Sequence, residues 1–155
     1  MKTGIDFIGI AVCWFCLDEQ GRILMQKRGK NCRDEQGKWD TGGGAVEFGD
    51  DVEGRLEKEI KEELGVQIQK KEFLGFRNVI RTMKGKKYHW LCLDFKIKVD
   101  AKKVVNKEPH KFDEIGWFDL KKLPSNLHSQ TLKNLDKYKV FLGLPLGKND
   151  KKQKT

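Results

Sequence analysis

Three consecutive glycines, Gly42, Gly43 and Gly44, stand just before the clearest helical pattern in the chain. Such a run breaks regular structure and lets the backbone approach closely to something else. The helix is expected over residues 50–64. Gly49 supplies a breaker and Asp50 an N-cap candidate, Val52, Leu56, Ile60 and Leu64 repeat every four residues as a narrow apolar stripe, and Gly65 is a natural C-terminal stop. Glu59, Glu62 and Glu63 fall at i, i+3 and i+4, a spacing that puts three carboxylates on one face. Like charges so close need either screening by lysines or a divalent cation among them, and carboxylate oxygens suit hard Mg²⁺ or Mn²⁺. Alone, a Glu/Lys-rich helix carrying the pairs Arg55–Glu59, Glu57–Lys61 and Lys58–Glu62 reads as a solvated face. The preceding glycines change the balance, because a loop that cradles a pyrophosphate beside a metal-binding helix explains both features together.

The remaining pattern is a sheet with two helices. Residues 5–17 read as a strand buried on both faces and residues 22–28 as its hairpin partner, with 18–21 as the turn. Two long strands follow the helix, 66–83 and 86–99, joined at Lys84-Gly85. A loop over 101–113 carries Glu108, Pro109 and His110; a short strand over 114–118 carries Trp117; a second helix is expected over 126–141. This mixture predicts an α/β fold, a sheet flanked by helices, in one domain over 1–145 with a basic, disordered tail over 146–155.

Composition narrows the partners. The 155 residues hold 32 Lys and Arg against 23 Asp and Glu, a net charge of +9, of which residues 148–155 supply +3. A basic chain suits anionic partners: nucleotides, nucleic acid or phosphate metabolites. The longest uncharged run, 7–17, is too short to cross a membrane as a helix and has no cleavage site of the secretory kind after it, so a cytoplasmic protein without a membrane partner is expected. Cys13 and Cys16 would point to opposite faces of a strand, which argues for reduced thiols rather than a metal site or disulfide. Cys32, between Lys30 and Arg33 in a charged loop region, is the cysteine expected to be exposed.

The segment 44–66, GAVEFGDDVEGRLEKEIKEELGV, resembles the signature of the Nudix hydrolase family (MutT-like), Gly-x5-Glu-x7-Arg-Glu-U-x-Glu-Glu-x-Gly-U, where U is a bulky aliphatic. Gly44, Glu59, Ile60, Glu62, Glu63, Gly65 and Val66 match. Asp50 and Lys58 stand where Glu and Arg are usual. Those two positions are similar to a buried strut between loop and helix, so the resemblance implies a weaker Asp50–Lys58 pair; the alternative is Asp50 as the N-cap, with Asp51 or Glu53 serving Lys58. Gly37-Lys38-Trp39, Glu47 and the 114–117 segment look like the family too, so the likeness covers about residues 5–140.

The resemblance implies a Nudix fold, a mixed β-sheet sandwiched between α-helices. It implies hydrolysis of a nucleoside diphosphate linked to another moiety, with Mg²⁺ as cofactor and Mn²⁺ as its substitute. Metal would fall to Gly44, Glu59, Glu62 and Glu63, and catalysis to Glu59, Glu62, Glu63 and a loop acid, Glu114 or Glu108. Substrate binding would involve Arg28, Trp39, Gly43, Gly44 and Glu47, with Lys30 and Arg33 as further cations. Trp39, Trp90, Trp117 and Phe15 are the flat side chains available for a base. The expected partner is a small nucleotide, a nucleoside triphosphate or a nucleotide sugar such as ADP-ribose, in a monomer or homodimer. The alternatives are an enzyme of RNA 5′ ends, favoured by the charge, and a Nudix-fold binding module without chemistry, disfavoured by the complete set of carboxylates.

Overall fold

The computed structural model describes residues 1–145; the tail expected over 146–155 lies outside the described residues. Strands β1 (Gly9–Leu17), β2 (Ile23–Arg28), β3 (Trp39–Asp40) and β4 (Gly43–Ala45) precede helix α1 (Val52–Leu64). Then come β5 (Lys70–Met83), β6 (Lys86–Lys98), a 3₁₀ turn (Ala101–Lys103), β7 (Phe112–Phe118) and helix α2 (Thr131–Lys137). The strands form one mixed sheet in the order β3-β2-β1-β6-β5, with β4 pairing β1 and β7 pairing β2. β1 and β6 run parallel, and the other pairs are antiparallel.

Each face of the sheet carries its own core. On β1 the side chains of Val12, Trp14 and Cys16 meet Leu56, Ile60 and Leu64 of α1. Phe15 and Leu17, of opposite parity, join Ile23, Met25, Leu135 of α2 and Tyr138 just past its end. A strand buried on both faces was expected for β1, and its two helices supply the cover. The sandwich is the α/β arrangement read from the sequence.

Several boundaries differ from the sequence reading. β1 begins at Gly9 rather than residue 5, because residues 2–7 close a tight turn with Gly4 N–H donating to the Phe7 carbonyl at 2.7 Å. α2 is much shorter than 126–141. Residues 126–128 run beside β3 instead: Trp39 N–H donates to the Asn126 carbonyl and His128 N–H to the Trp39 carbonyl, both at 2.8 Å. β5 begins at Lys70 rather than 66, since Val66 is drawn under α1. Cys32 is buried, its thiol donating to the Lys111 carbonyl at 3.3 Å, which corrects the expectation that it is exposed.

A fully buried, paired carboxylate braces the sheet. Asp94 of β6 accepts a bidentate pair from Arg77 of β5 at 2.7 and 2.8 Å, and Tyr138 O–H donates to it at 2.6 Å. The fork match and the third donor satisfy the buried carboxylate. They also tie β5, β6 and the end of α2 together below the cleft described next. Among the described residues no helix is long and apolar enough to cross a membrane.

Candidate functional site

The geometry of α1 is set at both ends by short-range contacts. Asp51 caps it, its carboxylate accepting from Gly54 N–H at 2.9 Å, and Gly65 closes it in the left-handed conformation. Asp50 is therefore not the N-cap. Its Oδ2 accepts from Glu47 N–H at 2.9 Å and from Arg55 at 2.6 Å. The Glu47 amide first, and Arg55 with it, hold the Asp50 carboxyl below its ordinary value.

The strut is Asp50–Arg55. Lys58 does not form it: its side chain is 60% exposed and pairs with Glu62, at 3.9 Å. Arg55, 9% exposed, spans from Asp50 to Glu59 Oε1 at 3.3 Å, with Glu47 at 3.7 Å. Residues 55 and 58 share a helix face one turn apart, and the longer base one turn nearer the loop compensates for the shorter acid. From spacing alone Arg55 reads as a partner of Glu59 and not as the strut.

Glu63 is buried, 1% exposed. Burial pushes its carboxyl up to about 7, with Lys111 acting in the other direction. Gln26 Nε2 donates to Glu63 Oε2 at 3.3 Å, while Glu63 Oε1 has no hydrogen bond and Lys111 Nζ stands 3.5 Å away. Glu108 brings a second buried carboxylate oxygen without a donor, Oε2, with the same Lys111 ammonium 3.9 Å off. Glu59 is half-buried, and desolvation raises its carboxyl against the pull of Arg55. Glu62 stands at the exposed rim. Gln26 was missed in the sequence; its one signal is an amide inside the otherwise apolar start of β2.

Strand β4 passes directly over this set. A Cβ at Gly44 would lie 2.5 Å from Glu59 Cδ, and one at Gly43 would lie 3.2 Å from Cys13 Sγ on the other side. Both glycines also line a cleft of about 270 Å³ with Arg33, Arg81, Tyr88 and Trp90. The glycine strand is thus a wall without side chains, carboxylates on one side and the cleft on the other. Two buried carboxylate oxygens without donors, and a backbone lying against a third acid, form a hard oxygen set that fits a divalent cation.

The other expected site residues fall in different places. Arg28 donates to Asp34, through the carbonyl at 3.0 Å and Oδ1 at 2.8 Å, and does not line the cleft. Arg81 joins it on Asp34 and also reaches Glu35. Asp34, Glu35 and His128 are the one group of metal-type ligand atoms within 4.8 Å of one another among the described residues, but arginines already occupy their oxygens. That knot pins the loop bearing Arg33, whose guanidinium lies 5.3 Å from the Tyr88 ring centre. Trp39 packs edge-on to Phe118, and Trp117 and Phe15 belong to the two cores, which leaves Trp90 as the candidate ring that lines the cleft. Glu47 is exposed beside Arg55. Glu114 is 62% exposed and paired with Lys27 at 3.9 Å; its neighbour Ile115 packs toward α1, so Glu114 faces away from Glu59, Glu62 and Glu63.

Residues 8–140 match the model of the NUDIX domain. A MutT NUDIX hydrolase from Burkholderia pseudomallei superposes at a TM-score of 0.75 with 27% identity, over 85% of this chain and 98% of its own. The MutT protein from Methanosarcina mazei Go1 gives 0.58 and 24%, over 77% and 86%. The NUDIX domain of Shewanella oneidensis NrtR, solved with ADP ribose, gives 0.68 and 12%, over 92% and 90%. The last two establish likeness of fold.

Two expectations follow. Arg55→Ala lowers the unfolding midpoint while Lys58→Ala leaves it unchanged, and in double-mutant cycles Asp50 couples to Arg55 but adds independently with Lys58. For Glu63 the folded value lies above the unfolded one of 4.5, so the folded state binds more protons between them. Its stability contribution is full below pH 4.5 and is lost as pH rises through about 7. At 1.36 kcal/mol per pH unit that loss is about 3 kcal/mol. Urea unfolding of metal-free protein from about pH 5 to about pH 8 should show this decline, and Glu63→Gln should flatten it.

Proposed function

We propose, for a chain that belongs to the NUDIX family and is a Nudix hydrolase of the nucleotide-pyrophosphohydrolase kind, that it cleaves the pyrophosphate of one small nucleotide held across the glycine wall. The observation that carries this reading is the wall itself. Gly43 and Gly44 contribute to a cleft sized for a single nucleoside, while Gly44 touches Glu59 on the far side. A pyrophosphate lying along β4 would have its nucleoside in the cleft and its bridging oxygen beside the carboxylates.

Glu59, Glu62 and Glu63 with the Gly44 carbonyl would hold the divalent cation, Mg²⁺ with Mn²⁺ as its substitute. Bound there, it supplies charge neutralisation for the pyrophosphate and acidifies a water. The chain's own residues do the rest. Arg55 and Asp50 keep the loop against the helix and orient Glu59. Gln26 orients Glu63. Glu108 Oε2, buried beside this set and without a donor, takes the proton of the attacking water, in place of Glu114. Tyr88 and Trp90 offer apolar ring surface for the base, and Arg33 and Arg81 offer positive charge at the mouth. The cleft is small and lined largely by apolar groups, which supports a single nucleotide over an RNA 5′ end. Nucleoside triphosphates and nucleotide sugars both fit; the NrtR neighbour bound to ADP ribose supports the second class.

A panel of nucleotides, assayed with Mg²⁺ and with chelator and with products identified, tests the reading. Hydrolysis at a pyrophosphate bond only with metal is expected; full turnover in chelator would refute it. Glu108→Gln should lower kcat by about 10²–10⁴, the usual worth of a positioned base, while Glu114→Gln stays close to the unmodified enzyme. The reverse ranking would return the base to Glu114.

A further inference from the structure

Cys13 and Cys92 are two nucleophiles that the hydrolytic reading leaves without a role. In the parallel pairing of β1 and β6, Ala11 stands opposite Cys92 and Cys13 lies two residues further along. Strand side chains alternate, so Ala11, Cys13 and Cys92 share one face, and all three line the cleft. Gly43 bounds the Cys13 sulfur on the other side, close enough that a Cβ there would touch it at 3.2 Å. Across the two strands the neighbouring Cys92 raises the Cys13 thiol, and Cys13, helped by Arg77, lowers the Cys92 thiol. Cys92 is therefore the readier thiolate and Cys13 the proton-bearing partner. The other two cysteines are placed differently. Cys16 lies in the α1 core, where burial pushes its thiol up to about 12, and Cys32 is engaged with the Lys111 carbonyl.

We propose that Cys13 and Cys92 form a dithiol site on the floor of the cleft that takes a trivalent soft electrophile across both sulfurs, with aryl arsenoxides as the defining ligand class. The chemistry balances without any oxidant. Arsenic stays trivalent, its bond to oxygen breaks, two arsenic–sulfur bonds form, and both thiol protons leave with the oxygen as water. A bridging arsenic needs the two sulfurs near each other but not at disulfide distance, which suits two thiols set diagonally on neighbouring strands, two residues out of register. Val79, Met83 and Tyr88 give the aryl group apolar lining in the same cleft. Selectivity over Cys16 and Cys32 follows from this placement, since Cys13 and Cys92 are the cysteines among the described residues that line the cleft. The inference is independent of the hydrolase reading, because the measurement is of covalent binding and not of turnover.

The test treats the full, metal-free chain with phenylarsine oxide and reads the intact mass. One adduct per chain is expected, formed with loss of one water, resistant to excess mercaptoethanol and released by dithiothreitol. Denaturing alkylation and peptide mapping of the unmutated protein should then find Cys13 and Cys92 protected, and Cys16 and Cys32 alkylated. Cys13→Ser and Cys92→Ser should each lose the mercaptoethanol-resistant adduct. An adduct that mercaptoethanol removes from the unmutated chain, or protection mapped to any other pair, overturns the proposal. Because the mapping needs no substitution, a variant that fails to fold does not blunt it.

Discussion

The close approach of strand β4 to helix α1 is the constraint on which the site depends. A sheet and a helix ordinarily pack with side chains between them, at about 10 Å. Here the backbone at Gly44 lies against the carboxylate of Glu59, with no room for a Cβ. Everything needed to hold that contact is supplied locally. Asp51 and Gly65 set the length of α1, Arg55 anchors the loop to the helix face, and Leu56, Ile60 and Leu64 seat the helix on β1. The apolar stripe and the acid face are the same helix read at two angles, so packing the first delivers the second.

Burial gives the acids their character. Glu63 and Glu108 each keep an oxygen away from solvent with no donor, and the Lys111 ammonium stands near both. A folded chain rarely tolerates such groups unless something else satisfies them or a task requires them. The hard oxygen set beneath a glycine strand is that requirement. The Asp94–Arg77–Tyr138 triad, by contrast, is satisfied by its own members and serves to hold the sheet under the cleft.

The parts of the fold that depend on local chemistry were legible in the sequence. Helix α1 shows its period, its stop and its acid triplet within 15 residues, and Lys84-Gly85 marks the β5–β6 hairpin. The parts that were not legible depend on distant partners. An apolar run continues through Ile5, Phe7 and Ile8, yet β1 starts only at Gly9, where the chain meets the Trp90 ring. Residues 126–128 carry helix-compatible side chains, but their backbone is claimed by Trp39. The strut was misplaced by one turn because residues 55 and 58 share a face and spacing alone does not choose between them. Gln26 meets Glu63 across 37 positions, and the cleft is assembled from β1, β4, β5 and β6, so neither leaves a spacing to read.

The account turns on the glycine wall, and Gly44→Ala tests it most directly. The added methyl must displace the Glu59 carboxylate while leaving both hydrophobic cores and the Asp50–Arg55 strut in place. Titration of metal-free protein with Mn²⁺, followed by calorimetry and by thermal unfolding, separates the two effects. The account predicts an unfolding midpoint close to that of the unmutated chain without metal, and Mn²⁺ affinity weakened by about tenfold or more, the equivalent of about 1.4 kcal/mol. A Gly44→Ala protein that binds Mn²⁺ as tightly as the unmutated chain would contradict it.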